Sequence, residues 1–306
     1  MNTKTLLDAN GLPVGRRGLI RSGAIAGSVA LLASAGGAHA TAIAPPPVND
    51  KDYPDFSLIK INSDDDSLAK IQKKGLVVGT SNDWPYSFLD PKTNEWTGLD
   101  GDIIKYIAKM LNIDNIKVQT VTFDGLIPGL LDGRFDIVGD SIHYTKNRSK
   151  VVNFCWGTYY YAEALVVPKG NPHNLHQLPD LKGYTVGTLL GTNYAEWLQG
   201  IPGVKFQGYK DWAQIIPELA IGRTDAALYD QPVVAALMKE HPEWKIQIVE
   251  DYDPHTFKNP VGYSSYAFRQ GDIQWLTAFS SAVQWMQYNG KMKDVLSKWG
   301  LSGYNN

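Results

Sequence analysis

Apolar and polar positions along this chain follow two periods. Short apolar runs at residues 76–80, 135–138, 163–168 and 184–187 are bounded by glycines or polar residues and read as buried strands. Further strands are predicted from residues 116, 204, 245 and 262. Residues 100–111 instead place Ile103, Ile104, Ile107 and Leu111 on one stripe at helical spacing. Gly191-Thr192-Asn193 opens a helix through Leu198, residues 231–241 read as another, and residues 272–289 and 291–299 as two closing helices. Ser67 reads as the cap of a short helix to Lys74. Strand–helix alternation of this kind predicts α/β layers with mostly parallel sheets.

One phrase occurs twice. Ile127-Pro128-x-Leu130-x-x-Gly133-Arg134-x-Asp136 returns 89 residues later as Ile216-Pro217-x-Leu219-x-x-Gly222-Arg223-x-Asp225, with an aromatic residue (Phe123, Trp212) five places before each proline. In each copy a short helix closed by a glycine, which accepts the left-handed cap conformation, leads into a buried strand. The first strand is expected to end at Gly139, leaving Asp140, Ser141, His143, Thr145 and Arg148 beyond its carboxyl end; the second ends on Asp230. Ligands of open α/β sheets sit outside the carboxyl ends of strands. One tip therefore offers a fixed cation and the other a fixed anion. Two similar lobes facing across a cleft would explain the echo; ordinary helix-to-strand grammar would produce it too. The chain is expected to cross between lobes at residues 163–168 and to return at residues 262–268, which makes a hinge.

Length and charge narrow the class. The 306 residues suffice for two domains, and 43% hydrophobic content supplies a core for each. Net charge is −2; without the first 40 residues the balance is 25 basic against 30 acidic, or −5, which argues against a nucleic-acid partner. Cys155 stands alone, so neither an intramolecular disulfide nor a cysteine-based zinc site can be built, and the thiol is expected to be buried and inert. Gly15-Arg16-Arg17-Gly18-Leu19-Ile20-Arg21, a Gly/Ala/Ser-rich apolar run and Ala38-His39-Ala40 form an export signal of twin-arginine type, too short and glycine-rich to be a comfortable membrane span. The expected organisation is a signal at 1–40 cleaved near Ala40, a linker at 41–66 carrying Pro45-Pro46-Pro47, lobe 1 from 67–162 and 264–306, and lobe 2 from 163–263, in the periplasm. Residues 187–192 look superficially like a phosphate loop but lack Gly-Lys-Ser/Thr, and His173 with His176 has no third ligand in prospect.

Several stretches, taken in order, resemble extracellular solute-binding protein family 3, the polar amino acid receptors of ABC importers. They are Gly98-Leu99-Asp100-Gly101-Asp102-Ile103, the first repeat, Ser141-x-x-x-Thr145-x-x-Arg148 with Val152-x-Phe154, Leu181-x-Gly183-x-x-Val186-Gly187, Gly191-Thr192, Gly222-x-x-Asp225-Ala226-Ala227-x-x-Asp230, and Ala267-Phe268-Arg269-x-Gly271-Asp272. The resemblance covers residues 76–301 and implies a two-lobe periplasmic-binding-protein fold of type II, the Venus-flytrap arrangement, with two hinge strands.

It also implies roles. Arg148 would hold a ligand α-carboxylate, where each charge-assisted hydrogen bond contributes about 1.5–3 kcal/mol. Ser141 would add donors, Thr192 and Asn193 would present a helix N-terminus to the same anion, Asp230 would take the α-ammonium, and Trp84 and Tyr86 would form an aromatic wall. His143 and Asp140 depart from the family pattern; His143 stands in place of a small hydroxyl residue, and Asp140 would add negative charge that favours a cationic ligand or an amine. The implied protein is a monomer without cofactor or metal that delivers an amino acid or related amine to a membrane permease. Two alternatives remain open at this level: an exported cyclohexadienyl (arogenate) dehydratase on the same scaffold, with Asp140 or His143 as acid, and a partner-docking protein that has lost its ligand.

Overall fold

The computed structural model describes residues 64–253 and 263–301. The export signal, the linker as far as residue 63, Gly262 at the start of the return crossing and the last five residues of lobe 1 lie outside the described residues.

The chain opens with α1 (Ser67–Lys74) and β1 (Leu76–Thr80), makes a small hairpin of β2 (Phe88–Leu89) and β3 (Trp96–Thr97), and continues through α2 (Leu99–Met110), β4 (Ile116–Thr120), α3 (Leu126–Leu131), β5 (Ile137–His143) and β6 (Val152–Phe154). It then crosses over as β7 (Glu163–Pro168) and builds β8 (Thr185–Leu189), α4 (Asn193–Gly200), β9 (Lys205–Tyr209), α5 (Trp212–Ala220), β10 (Ala226–Asp230), α6 (Gln231–Glu240) and β11 (Ile246–Ile248). It returns as β12 (Ser264–Arg269) and closes with α7 (Ile273–Tyr288) and α8 (Lys291–Lys298). The stripe predicted on α2 is buried, Ile103, Ile104, Ile107 and Leu111 being fully covered.

Two five-stranded sheets result, ordered β4-β1-β5-β12-β6 and β11-β7-β10-β8-β9. In the first, β4, β1 and β5 are parallel neighbours, while β12 runs antiparallel to both β5 and β6. In the second, β9, β8 and β10 are parallel and β7 runs antiparallel to both β10 and β11. The single reversed strand of each sheet is the one that arrives from the other lobe. Read from opposite ends, the sheets have one order, so the repeat seen in the sequence extends to the whole lobe.

Three local expectations change. Ser67 lies inside the first turn of α1, not at its cap: Asp66 takes the cap position, and the Ser67 N–H donates to Asp65 Oδ1 at 2.9 Å. The strand expected at residues 135–138 begins at Ile137 and runs on to His143. The extension exists because β12, 120 residues further along the chain, supplies a second ladder that pairs Ser264 with His143 and Ser265 with Ile142. Asp140, Ser141 and His143 are therefore strand residues and not a loop beyond the strand. The β2–β3 hairpin had no counterpart in the sequence reading.

Candidate functional site

Arg148 is reached five residues after β5 ends. The Thr145 hydroxyl accepts from the Arg148 N–H at 3.1 Å, closing the turn that the Thr-x-x-Arg spacing encodes. The guanidinium is buried, with its Nη1 donating to the His143 carbonyl at 2.7 Å and its Nη2 donating to the Gly191 carbonyl of the other lobe at 2.8 Å. Its charge centre lies 5.8 Å from the Phe123 ring. Burial lowers its pKa to about 10, partly offset by Glu196, so it stays cationic at neutral pH. Among the described residues no carboxylate forms an ion pair with it.

The strand beneath it is held from α2. Ser141 has φ of 43°, a left-handed conformation that costs a non-glycine residue energy. Asp100, in the first turn of α2, secures it: Oδ2 accepts from the Ser141 N–H at 2.7 Å, while Oδ1 accepts from Tyr159 at 2.9 Å and Tyr266 at 2.7 Å. The Ser141 hydroxyl donates to Tyr161 Oη at 2.8 Å, and Tyr161 donates back to the Ser141 carbonyl at 2.9 Å. Burial, reinforced by the Arg148 charge, pushes His143 down to about 3, so its imidazole is neutral; Nε2 is buried without a partner.

From lobe 2, Asp230 ends β10 and starts α6. Its Oδ1 accepts from Tyr194 Oη at 2.7 Å, and burial pushes its carboxyl up to about 7 against the pull of the surrounding tyrosine hydroxyls. Glu163, its cross-strand neighbour on β7, is likewise buried and raised to about 7, and accepts from Tyr252 at 3.0 Å. Thr192 caps α4: its hydroxyl accepts from the Ala195 N–H at 3.1 Å and donates to the Leu189 carbonyl at 2.7 Å. Gly191 touches the other lobe so closely that a Cβ there would fall 2.7 Å from Asp124 Cα.

These groups converge. One pocket between the lobes is lined by Ser141, His143, Arg148, Thr192, Asn193 and Asp230, together with Asp83, Phe123, Tyr161, Tyr194 and Trp212. The enclosed space is about 10 Å³, close to the room one water needs, so the lobes stand closed and must part to admit a solute.

Three expected residues do not line this small pocket. Tyr86 is fully buried behind Tyr161, ring centroids 5.2 Å apart. Trp84 lines an adjoining, larger cavity. Asp140 turns away from the pocket, Oδ2 accepting from the Ser81 N–H at 2.6 Å, and burial raises it to about 8. Alternation along β5 is the reason: Ser141 and His143 share the pocket, and residue 140 points to the opposite face.

Asp83, Asp100, Tyr161, Phe123 and Trp212 had been given no site role. Asp100 carried a signal in the quoted Gly-Leu-Asp-Gly-Asp stretch, and Phe123 and Trp212 carried one as the aromatic echo. Their rings meet edge to face across the cleft, 6.4 Å apart. Cys155 is buried and raised to about 11 by burial. Among the described residues no cluster of three or more His, Cys, Asp or Glu is arranged to hold a metal ion, and no helix is long and apolar enough to cross a membrane.

Comparison with known proteins gives a consistent match. The family described as bacterial extracellular solute-binding proteins, family 3, matches residues 76–302. The L-cystine-binding protein TcyJ of Escherichia coli (strain K12) is 28% identical over 243 residues, 79% of this chain and 88% of that protein. A solved ancestral arginine-binding protein bound to arginine superposes with a TM-score of 0.65 at 30% identity, covering 73% of this chain and 97% of that one. An ancestral amino acid-binding protein described as a precursor of cyclohexadienyl dehydratase superposes with a TM-score of 0.66 at 29% identity, over 76% and 98% of the two chains.

Proposed function

We propose a role for this chain from the family to which it belongs, the bacterial extracellular solute-binding proteins, family 3: it captures a free α-amino acid between its closing lobes and presents it to the membrane permease of an ABC importer. One observation carries the reading. A buried guanidinium from one lobe, bonded among the described residues to carbonyl oxygens alone, shares a pocket with a buried carboxyl group from the other.

Arg148 takes the α-carboxylate as a two-pronged donor, giving up the Gly191 carbonyl when the lobes part and the His143 carbonyl when the carboxylate arrives. Asp230 takes the α-ammonium, and ionises as that cation arrives. Asn193, at the start of α4, places a helix N-terminus on the carboxylate side. His143 packs beside the carboxylate as a neutral imidazole. The lobe divisions at residues 162/163 and 263/264 follow the two crossings, and an export signal cleaved near Ala40 delivers a monomer to the periplasm.

A thermal-shift panel over the common L-amino acids tests the reading. Ligand at 100 times its Kd stabilises the fold by about 2.7 kcal/mol, a shift easily measured. No shift with any α-amino acid would overturn it. The dehydratase alternative draws support from the precursor relationship of one structural neighbour, and turnover of prephenate by the purified protein would put it first.

A further inference from the structure

The head-group pocket adjoins a second cavity of about 790 Å³ between the lobes, within the range of small-molecule sites. Asp83 and Trp212 belong to both. The walls of the larger chamber include Trp84, Trp212, Trp244 and Tyr229; Trp212 and Tyr229 meet edge to face with centroids 4.4 Å apart.

Two polar groups at the junction lack partners. Asp83 is 5% exposed, and among the described residues no group donates to its carboxylate. The Trp212 indole Nε1–H is buried and unpaired. A buried carboxylate left without a donor is costly unless something supplies a positive charge or hydrogen bonds. Among the described residues nothing nearby does so. Asp140 and Asp230 add further negative potential at Asp83, Lys210 at the chamber rim is exposed, and Asp211 is occupied in capping α5 through the Ala213 N–H.

The charges of the site can then be matched to a ligand. A zwitterionic head satisfies Arg148 and Asp230, leaving Asp83 as a second carboxyl; burial and the carboxylates around it hold it well above the usual carboxylate range in the free protein, so it ionises as a second cation arrives. We propose that the ligand is an amino acid with a cation at the far end of a long side chain, that this cation pairs with Asp83, and that it lies in the tryptophan-walled chamber. The inference rests on the reading that Arg148 and Asp230 hold the head group. A planar cation suits the chamber best, since it can stack on indole while donating in its own plane.

Calorimetry on the purified protein with L-arginine and L-citrulline tests this. The two ligands have the same length and nearly the same shape, but citrulline carries an uncharged ureido group in place of the guanidinium. Arginine is expected to bind at least about tenfold tighter, the ordinary advantage of a charge-assisted contact. Asp83→Asn is expected to erase the preference, bringing the arginine-to-citrulline affinity ratio to about one. Equal affinities in the unsubstituted protein, or tighter binding of citrulline, would overturn the cationic side chain and leave the zwitterion reading intact. Loss of both ligands together in Asp83→Asn would make Asp83 a structural residue and overturn its assignment. If Asp83→Asn does not fold, as judged by circular dichroism, the arginine–citrulline comparison in the unsubstituted protein decides alone. Failure of every α-amino acid to bind would instead remove the reading beneath.

Discussion

The two copies of the helix–strand unit agree in their hydrogen bonds and differ in what they present. In lobe 1 the N–H of Asp132 donates to Pro128, Gly133 to Leu130 and Arg134 to Gly129; in lobe 2 Ile221 donates to Pro217, Gly222 to Leu219 and Arg223 to Glu218. Gly133 and Gly222 are both left-handed, with φ of 71° and 77°. Asp136 and Asp225 each accept from the N–H of a neighbouring parallel strand, Val77 at 3.1 Å and Thr185 at 2.7 Å. Beyond that point they diverge. β5 continues through seven residues, and a further turn delivers Arg148; β10 stops after five, and its last residue, Asp230, is itself the charged group. A duplicated scaffold thus sets where a tip lies, and the few residues leaving each strand set its charge.

The surroundings of the paired aspartates differ as well. Asp136 is buried and bridges Lys74 at 2.9 Å and Arg269 at 3.2 Å, whereas the Asp225 side chain is 35% exposed and faces the His173 imidazole, Nε2 at 3.5 Å, with no Lys or Arg bridging it among the described residues.

Unequal removal of the two tips is the strongest way to break the comparison. Arg148→Ala is expected to weaken amino acid binding by about 10³-fold, the loss of a buried, hydrogen-bonded charge partner. Asp230→Asn keeps the shape and some hydrogen bonding and is expected to cost about 10–100-fold. Calorimetry separates the two, and full binding by the Arg148 variant would remove the shared-zwitterion picture.

The aspartate pair comes next. Urea unfolding should show Asp136→Ala costing about 3 kcal/mol, because Arg269 and Lys74 lose a buried partner, and Asp225→Ala costing about 1 kcal/mol at its half-exposed position. Equal costs would mean that the ion pairs of lobe 1 add nothing to the shared backbone bond.

A third test uses pH. The Asp230 carboxyl of the free protein is raised to about 7 by burial, so below that value it must lose a proton before it can hold an ammonium. Affinity should therefore fall as pH drops from 8 to 5.5, by up to about tenfold per unit for one linked proton. The unliganded fold should behave in the opposite sense. Asp100, Asp140, Glu163 and Asp230 are all raised to about 7 or 8, above their unfolded values near 4. Their contribution is present below the unfolded value and is lost as pH rises through 7 to 8. Arg148 stays charged throughout this window and adds no slope of its own to the affinity. An affinity flat from pH 5.5 to 8 would contradict the assignment of Asp230.

The smallest effect sharpens the likeness instead. A Cβ at Gly133 or at Gly222 meets no atom within 4 Å, so alanine at either should cost only the left-handed backbone penalty, about 1 kcal/mol in each copy. A clear difference between the two in thermal melts would show that the repeat is not equivalent at its caps.

Much of this was legible before any coordinates. Periodicity marked β1, α2 and the closing helices, and glycine capping marked both repeat units. The charges at the ends of those units singled out Arg148 and Asp230. Each of these depends on contacts within about a dozen residues, which a local pattern records. Had β5 been read through His143, alternation alone would have parted Asp140 from Ser141 and His143.

Tertiary structure decided the rest, because each remaining question turned on a partner far along the chain. β12 lengthens β5 from 120 residues away. Asp100 holds Ser141 in its left-handed conformation from another element, and the Thr192 hydroxyl is spent on its own helix. Phe123 finds Trp212 only when the lobes close, and Asp83 rather than Asp140 faces the cleft. A residue's type and period are properties of the local chain; the direction in which a polar side chain points depends on which distant backbone offers it a hydrogen bond and on where closure excludes water.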